Sequence, residues 1–167
     1  RFVAVYSHDK GADKPSRDVL LAIISMHYKD LDSTIQKLID LAVEAKEKAY
    51  CPYSNFRVGC AVLCSDGSMF SGCNVENASY GLSVCAERVA VMKAVSEGHQ
   101  KFKATAIVCD IKGSFKASCG ACRQVYSEFG LDLDMYLVKP DMTVKKVILG
   151  DIFSMAFTPD ALMEERI

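Results

Sequence analysis

The apolar residues of this chain change their spacing several times, and these changes limit the folds open to it. Between residues 33 and 49 they recur three and four apart, the spacing that places apolar side chains on one face of a helix. Ser33, with Gln36 three residues later, resembles a capping box at the start of this segment. A helix is therefore predicted over 33–49, with an apolar face formed by Ile35, Leu38, Ile39, Ala42, Ala45 and Ala49.

Strand-like and helix-like segments then alternate. "FRVGCAVLC" and "MFSGCNV" flank Ser65-Asp66-Gly67-Ser68, whose Asp-Gly favours a hairpin turn. "CAERVAVMKAVSEG" predicts a helix that ends at Gly98, and "KATAIVCD" predicts a buried strand. "CGACRQVYSEFG" predicts another helix, "DMYLVK" and "TVKKVIL" two more strands, and Thr158-Pro159-Asp160 a short C-terminal helix. This order predicts an α/β layered domain without internal repeats.

The N-terminal part of the chain gives weaker signals. We expect residues 1–30 to form an extension, partly helical over "RDVLLAIISMHYKDL", and residues 31–167 to form one domain. The longest apolar run, Val19 to Met26, is far shorter than the roughly 20 residues that a membrane-spanning helix needs. Nothing in the extension has the pattern of a signal peptide, so a cytoplasmic location is expected.

Charge and cysteine content narrow the function classes. The 20 Lys and Arg residues nearly balance the 21 Asp and Glu residues, and no basic stripe that would favour nucleic acid is apparent. A small, weakly charged substrate fits better than a polyanion. Eight cysteines could suggest disulfides, but such frameworks belong to small secreted domains with little core. Cys60, Cys64 and Cys109 lie in apolar runs and are predicted to be buried free thiols.

Three other cysteines occur where loops are predicted to become helices. They are Cys85 and the pair Cys119-x-x-Cys122. A helix N-terminus stabilises a thiolate, and three protein ligands with an open fourth position are typical of a catalytic zinc site. Glu87, two residues after Cys85, could exchange protons with a water in the same cavity, although a first-turn glutamate also simply favours the helix dipole.

Two other interpretations of the cysteines remain open at this point. A structural zinc site would need a fourth ligand, which Cys60, Cys73 or Cys109 could supply. A dithiol redox pair formed by the Cys-x-x-Cys motif would leave Cys85 and Glu87 without a role.

Cys-Ala-Glu followed some 30 residues later by Cys-x-x-Cys resembles the zinc nucleoside and nucleobase deaminases. The blocks "CPYSNFRVGCAVL", "GCNVENASYGL", "CAERVAVMKAVSEG" and "CGACRQV" resemble the homotetrameric cytidine deaminases, over about residues 33–165. The resemblance implies a three-layer α-β-α sandwich with a mixed five-stranded sheet. It also implies zinc-dependent hydrolysis of cytidine and deoxycytidine to uridine and deoxyuridine, as in pyrimidine salvage. A deaminase of another small aminated heterocycle is the nearest alternative.

The same resemblance implies roles for the residues of the metal site. Cys85, Cys119 and Cys122 would bind one Zn²⁺ per subunit. Glu87 would carry a proton from the attacking water to ring nitrogen N3 and then to the departing amine. The three thiolate ligands together would carry more negative charge than the metal ion carries positive charge. Arg88 stands close to Cys85 in the sequence, so we expect it to donate to cysteine sulfur and restore the Lewis acidity of the metal.

The substrate contacts are also implied by resemblance. Asn74 and Glu76 would hold the ribose 3′-hydroxyl, Phe56 would pack against the pyrimidine ring, and the backbone of Ala86 would fix the base. Two further residues, Tyr80 and Phe157, would complete a neighbouring subunit's pocket, so the active sites would be shared within a homo-oligomer, expected to be a tetramer.

Two local features depart from the pattern of the resembled family. Ser118 stands where that family usually has proline before the first Cys of the pair; serine is a good N-cap, so we expect the geometry to survive. "LGDIFSMAF", which ends at Phe157, replaces a Leu-Leu-Pro stretch that is common in that family.

Overall fold

The computed structural model describes residues 25–165, and its centre is one mixed sheet of six strands in the order β1-β6-β5-β4-β2-β3. Only β4 and β5 are parallel, and every other neighbouring pair is antiparallel. The strands are β1 Met26–His27, β2 Val58–Cys64, β3 Met69–Cys73, β4 Phe102–Cys109, β5 Asp134–Val138 and β6 Thr143–Ile148.

The α-helices cover both faces of this sheet, so the three-layer α/β fold is confirmed. They are α1 Ser33–Lys46, α2 Ala86–Ser96, α3 Gly120–Ser127 and the short α4 Leu149–Ile152. Three 3₁₀ turns complete the described elements, at Tyr28–Asp30, Tyr80–Leu82 and Pro159–Leu162. Within residues 25–165, no helix has the length and apolar character needed to span a membrane.

The alternation of side chains along β2 shows how the core is divided. Ala61 and Leu63 pack with α1 on one face, whereas Cys60, Val62 and Cys64 pack with α2 on the other. Successive residues of a strand point to opposite faces, so each face of the sheet has its own apolar cluster. The cysteines at 60, 64 and 109 are all buried, as the sequence predicts.

Two glycines allow the helices to approach the sheet closely. A Cβ atom added at Gly59 would lie 2.0 Å from the carbonyl oxygen of Ala42 in α1. One added at Gly72 would lie 2.5 Å from the backbone nitrogen of Ala90 and 2.8 Å from the carbonyl oxygen of Ala86 in α2. Neither position has room for a larger residue unless a helix moves away.

Three sequence predictions need correction. The sheet has six strands rather than five, because Met26–His27 pairs antiparallel with β6, and a two-residue edge strand leaves no periodic signal. That strand and the 3₁₀ turn after it replace the end of the helix predicted over "RDVLLAIISMHYKDL"; the part before Ser25 lies outside the described residues. Helix α1 ends at Lys46 rather than at residue 49.

The cap of α1 also differs from the prediction. Asp32 is the N-cap, and its Oδ1 accepts the N–H groups of Thr34 at 2.9 Å and Ile35 at 3.1 Å. Gln36 does not close a capping box, because its Nε2 donates to the carbonyl oxygen of Leu31 at 2.9 Å. A carboxylate at residue 32 therefore caps the helix one position before the predicted serine.

Candidate metal centre and active site

The starts of α2 and α3 lie side by side at one end of the sheet. Cys85 is the N-cap of α2 and Cys119 is the N-cap of α3, both with extended backbone. The first helical hydrogen bonds are Val89 N–H to the carbonyl of Cys85, at 3.2 Å, and Arg123 N–H to that of Cys119, at 3.0 Å. Neither cap side chain binds the backbone, so the first N–H groups of both helices impose positive potential on the thiols.

The geometry of the three predicted sulfur ligands fits a tetrahedral zinc ion. The Sγ atoms of Cys85 and Cys119 are 3.9 Å apart, those of Cys119 and Cys122 are 3.5 Å apart, and all three lie within 4.8 Å of one another. Zn–S bonds of about 2.3 Å at tetrahedral angles place sulfurs about 3.8 Å apart. Cys119 is exposed, Cys85 is partly buried and Cys122 is buried, so the site is reached from the Cys119 side.

The thiols perturb one another strongly. The Cys122 thiol, together with Arg88 and Cys119, lowers the pKa of Cys85 to about 5. The same contact with Cys85, reinforced by burial, raises the pKa of Cys122. Cys85 is therefore thiolate near neutral pH even before a cation neutralises the cluster, as a metal ligand must be.

Glu87 lies beside this cluster and is 6 % exposed. Burial raises the pKa of its carboxyl group, and the charge of Cys85 adds to the rise. The nearby Ser118 hydroxyl opposes this rise. A carboxyl group whose pKa is raised toward neutrality can both accept and return a proton at physiological pH.

A cavity of about 380 Å³ opens over Cys85 and Glu87. It brings together four of the predicted substrate-binding residues: Phe56, Asn74, Glu76 and Ala86. Cys119 also lines it, whereas Cys122 lies behind the wall. The sequence analysis missed the other lining residues, which are Ser54, Val58, Ile107, Cys109, Lys116 and Ala117.

Some of the missed residues left a usable signal. Lys116 and Ala117 are separated from the Cys-x-x-Cys segment only by Ser118, and Cys109 ends a strand predicted to be buried. Cys109 pairs with Val58 in the β2–β4 ladder, so the end of β4 and the start of β2 meet at this end of the sheet. Cys109 and Val58 lie in the same cavity wall because of this strand pairing, which cannot be recognised from the sequence.

Asn74 and Glu76 fix the backbone that carries Phe56. The Asn74 side chain accepts the N–H of Val58 and donates to the carbonyl of Phe56, both at 2.8 Å. One amide hydrogen and one lone pair of Asn74 are left for a ligand. Glu76 accepts the N–H of Tyr53 at 2.9 Å and also the N–H and hydroxyl of Ser54, and these contacts lower its pKa.

Ion pairs also hold the segment that carries Phe56. Asp110 accepts from Lys46 Nζ at 2.7 Å and from Arg57 Nε at 3.0 Å. Arg57 also pairs with Glu47 at 2.6 Å. These contacts tie the end of α1 to the segment that presents Phe56, and the partner cations lower the pKa of Asp110.

Arg88 contacts the metal cluster from the first turn of α2. Its Nη2 donates to the carbonyl of Ser83 at 3.1 Å, which anchors the guanidinium beside the sulfurs. Among the described residues, its buried Nε has no conventional hydrogen-bond partner. The guanidinium contributes to the lowered pKa of Cys85, as expected for a cation directed at thiolate sulfur.

Tyr80 and Phe157 lie outside the cavity. Tyr80 is 73 % exposed, and its ring centroid is 5.6 Å from that of Tyr53 above a neighbouring depression that shares Ser54 and Glu76 with the main cavity. Phe157 is 59 % exposed, and its carbonyl accepts Gln124 Nε2 at 2.7 Å. Neither side chain completes the pocket of its own chain.

Ser118 does not cap α3, contrary to the capping role expected for it. Cys119 occupies the cap position, and Ser118 is 2 % exposed, with its hydroxyl beside the Glu87 carboxyl group rather than on the helix N–H groups. The backbone still enters the helix without proline, because the Ser118 carbonyl accepts Arg123 Nε at 2.8 Å and Arg123 Nη1 donates to the carbonyl of Ile152 at 2.6 Å.

The cluster geometry favours one of the alternatives for the cysteines. Within the described part of the chain, three ligand side chains form this group, and Cys60, Cys73 and Cys109 are not among them. All eight cysteines are free thiols. The arrangement is the open three-ligand type rather than the closed four-ligand type, and it gives Cys85 a place that a Cys-x-x-Cys redox pair would not need.

Comparison with known proteins agrees with this geometry. The family model described as the cytidine and deoxycytidylate deaminase zinc-binding region matches residues 32–137. A probable cytidine deaminase of Dictyostelium discoideum is 51% identical over 112 residues, covering 67% of this chain and 76% of that protein. The cytidine deaminase of Halalkalibacterium halodurans is 45% identical over 126 residues, covering 75% of this chain and 95% of that protein.

Solved structures give the same result at the level of the fold. The crystal structure of cytidine deaminase from Burkholderia pseudomallei is similar with a TM-score of 0.70 and 46% identity, over 73% of this chain and 98% of that one. Cytidine deaminase from Mycobacterium tuberculosis gives a TM-score of 0.65 at 40% identity, over 75% of this chain and 98% of that one. The chain belongs to the cytidine and deoxycytidylate deaminase family, whose zinc-binding region it contains.

Proposed function

We propose that this protein is a zinc-dependent cytidine deaminase that converts cytidine and deoxycytidine to uridine and deoxyuridine, a reaction of pyrimidine salvage. The observation that carries the proposal is the cluster of three thiols at two helix starts, beside a buried carboxyl group in a cavity of nucleoside size. Its curated relative in Dictyostelium discoideum is named a probable cytidine deaminase, and that in Halalkalibacterium halodurans is named a cytidine deaminase.

Cys85, Cys119 and Cys122 would hold the zinc ion, and their spacing suits it. Bound zinc supplies the Lewis acidity that makes water a nucleophile at neutral pH. The reaction forms a bond from this oxygen to C4 of the pyrimidine and breaks the bond from C4 to the exocyclic amine, which leaves as ammonia.

Glu87 would move the protons. Its carboxylate takes one proton from the attacking water and gives it to ring nitrogen N3. It then takes the second proton from the hydroxyl group formed at C4 and passes it to the departing amine. Burial raises the pKa of Glu87, which suits a group that must hold a proton and release it within one turnover.

The cavity walls would select a nucleoside. Phe56, which lines the cavity, would supply an apolar face for the pyrimidine, and the Ala86 backbone would fix the base. Asn74 and Glu76 would offer a donor and acceptors to the ribose 3′-hydroxyl. Among the described lining residues, Lys116 is the only cation and two are carboxylates. This excess of negative charge favours an uncharged nucleoside over a phosphorylated one. The proposed ribose contacts of Asn74 and Glu76 favour a nucleoside over another aminated heterocycle.

Replacing Glu87 with Gln tests the proton path. Because an amide of the same shape cannot exchange protons, we expect Glu87→Gln to retain one zinc per chain while kcat falls by about 10²–10⁴-fold. The measurement is the ultraviolet loss of cytidine and of deoxycytidine, with zinc determined on the same sample. Chelation of the wild-type protein should abolish the same signal, and returned zinc should restore it.

Glu97→Gln is the matched control, because Glu97 is exposed at the other end of α2. It should leave both zinc content and turnover unchanged. Wild-type turnover in zinc-loaded Glu87→Gln would refute the role of Glu87. Absence of turnover in every form, with zinc bound, would instead indicate a structural zinc site.

We also propose that Arg88 restores the Lewis acidity of the metal. Three thiolates around a divalent ion leave a net charge of −1, and the guanidinium lies where it can donate to Cys85 and Cys122. The two helix N-termini supply further positive potential. Donation to sulfur withdraws electron density from the ligands and leaves the metal a stronger acid.

Arg88→Ala should therefore keep its zinc at saturating metal while kcat falls by about 10–100-fold, the size typical for loss of a group that supports a metal ligand. Arg88→Lys should recover part of the loss, since it restores the charge without the fork of donors. Lys93→Ala, at an exposed position of the same helix, is the control. A zinc-loaded Arg88→Ala enzyme with the wild-type rate would show that the idea is wrong.

We further propose that the chain forms a homo-oligomer, specifically a tetramer with shared active sites. Tyr53 and Tyr80 are exposed in the depression beside the cavity, and Tyr50, Leu82 and Phe157 are exposed as well. Apolar groups exposed at a functional cavity are typical of a surface that another chain covers. Tyr80 and Phe157 would then contribute to a neighbour's pocket.

Sedimentation of the zinc-loaded protein tests this assembly, with the mass of four chains expected. Tyr80→Ser should weaken assembly and lower activity together, whereas Met92→Ser, at an exposed apolar residue of α2, should change neither. A fully active monomer would refute the shared site.

Two further expectations stand as proposals. We place the protein in the cytoplasm, because eight free cysteines suit a reducing compartment. We also propose that the chain divides into an extension over 1–30 and a deaminase domain over 31–167, with the edge strand Met26–His27 as the part of the extension that joins the sheet of the domain. The location is tested by measuring where the protein lies in cells and whether its thiols are oxidised there. The domain boundary is tested by whether the 31–167 fragment folds.

A further inference from the structure

A second cluster of metal-binding side chains lies away from the catalytic thiols. One ligand atom each from Cys64, Asp66 and His99 lie within 4.8 Å of one another. His99 follows the C-terminal end of α2, whereas Cys85 begins that helix. The 11 residues of α2, at about 1.5 Å per residue, separate the two ends by roughly 16 Å.

The fold assembles this cluster from two separate segments. Cys64 is the last residue of β2 and Asp66 lies in the β2–β3 turn, while His99 comes directly after Gly98, whose φ of 91° reverses the chain at the end of α2. Two backbone hydrogen bonds hold the turn, from Cys64 N–H to the Ser68 carbonyl and from Ser65 N–H to the Lys101 carbonyl, each 2.8 Å.

The side chains themselves are also held in place. Asp66 Oδ1 accepts the N–H of Ser68 at 3.0 Å, which leaves Oδ2 directed at His99 Nδ1, 3.2 Å away. The His99 ring packs against Phe70, with centroids 4.9 Å apart. Cys64 is 1 % exposed and approaches from the core, so the three donors meet at the border between core and solvent.

The contact between Asp66 and His99 accounts for the placement of these two residues, and Cys64, which packs in the core, brings a thiol to the same point. A solvent-open cavity of about 320 Å³ adjoins the three side chains, with room for an ion and its waters. The thiolate and carboxylate together would carry two negative charges, which exceed the single positive charge of Lys101 in the cavity wall. Sulfur, imidazole and carboxylate are all ligands of zinc-class ions.

We propose that Cys64, Asp66 and His99 form a second, non-catalytic site for a divalent transition-metal ion of the zinc class. Binding replaces the Cys64 S–H bond with a sulfur–metal bond, the proton goes to solvent, and water fills the remaining position; no oxidation or reduction takes place. The ion joins the β2–β3 turn to the end of α2 and so stabilises the helix whose other end bears Cys85.

Cobalt provides a spectroscopic test on the 167-residue chain loaded with one zinc ion per chain. Co²⁺ titration should add one further metal ion per chain, produce a thiolate-to-cobalt charge-transfer band and raise the Tm. Cys64→Ala should remove the band. Asp66→Asn and His99→Ala should each weaken cobalt affinity by more than about 10-fold, the loss expected even when only a supporting partner of a ligand is removed.

His27→Ala is the matched control for the histidine, because His27 is exposed on β1 and is no member of the cluster; it should bind cobalt like the wild type. Asp66→Asn changes a solvent-exposed turn residue, so it tests the site even if Cys64→Ala does not fold. None of these readouts needs turnover, and the rate of deamination by Asp66→Asn should stay unchanged. Absence of the second metal site can therefore be distinguished from failure of the proposed function.

Three results would overturn the proposal. First, the protein whose catalytic site already holds zinc could take up no cobalt. Asp66→Asn and His99→Ala could bind cobalt as tightly as the wild type. Finally, a band present in every variant and accompanied by released zinc would show that cobalt had entered the catalytic cluster instead.

Discussion

The close approach of α2 to the sheet is the constraint on which the rest of the site depends. At Gly72 an added Cβ would lie 2.8 Å from the carbonyl oxygen of Ala86, the residue between Cys85 and Glu87. A glycine in β3 therefore sets how deeply the start of α2 sits, and with it the positions of a zinc ligand and the carboxyl group. Because protein interiors are closely packed, a displacement of this helix would move both groups together.

The electrostatics of the centre follow from that placement. Two helix starts and the Arg88 guanidinium supply positive potential where three sulfurs converge, and this makes Cys85 a thiolate near neutral pH. The same depth desolvates Glu87 and raises its pKa. Burial raises the pKa of both neighbouring acids, but at Cys85 the thiol and cationic partners outweigh it, whereas at Glu87 burial prevails.

The sequence predicted most of the fold and the metal cluster because their signals are local. Helical spacing, the Asp-Gly turn and cysteines at helix starts can each be recognised within a few residues, and all three sulfurs do meet. The edge strand Met26–His27 was missed because two residues carry no period. The Asp32 cap was missed because a serine followed by Gln36 offered a stronger local pattern.

The parts that the sequence missed depend on contacts between distant segments. Cys109 and Val58 enter the cavity wall only through the register of β2 against β4. His99 meets Cys64 and Asp66 only because α2 returns its C-terminal end to the β2–β3 turn. Asn74 and Glu76 also have a structural role that no motif indicated, since both side chains form hydrogen bonds with the backbone around Phe56.

X-ray absorption at the zinc edge, on protein loaded with one zinc per chain, tests the central claim most directly. If Cys85, Cys119 and Cys122 form an open three-thiolate site, the first coordination sphere will contain three sulfurs at about 2.3 Å and one lighter oxygen or nitrogen atom. Four sulfur ligands would mean that a further cysteine closes the site, and two or fewer would mean that the two helix starts do not share the ion. Either result would contradict the account.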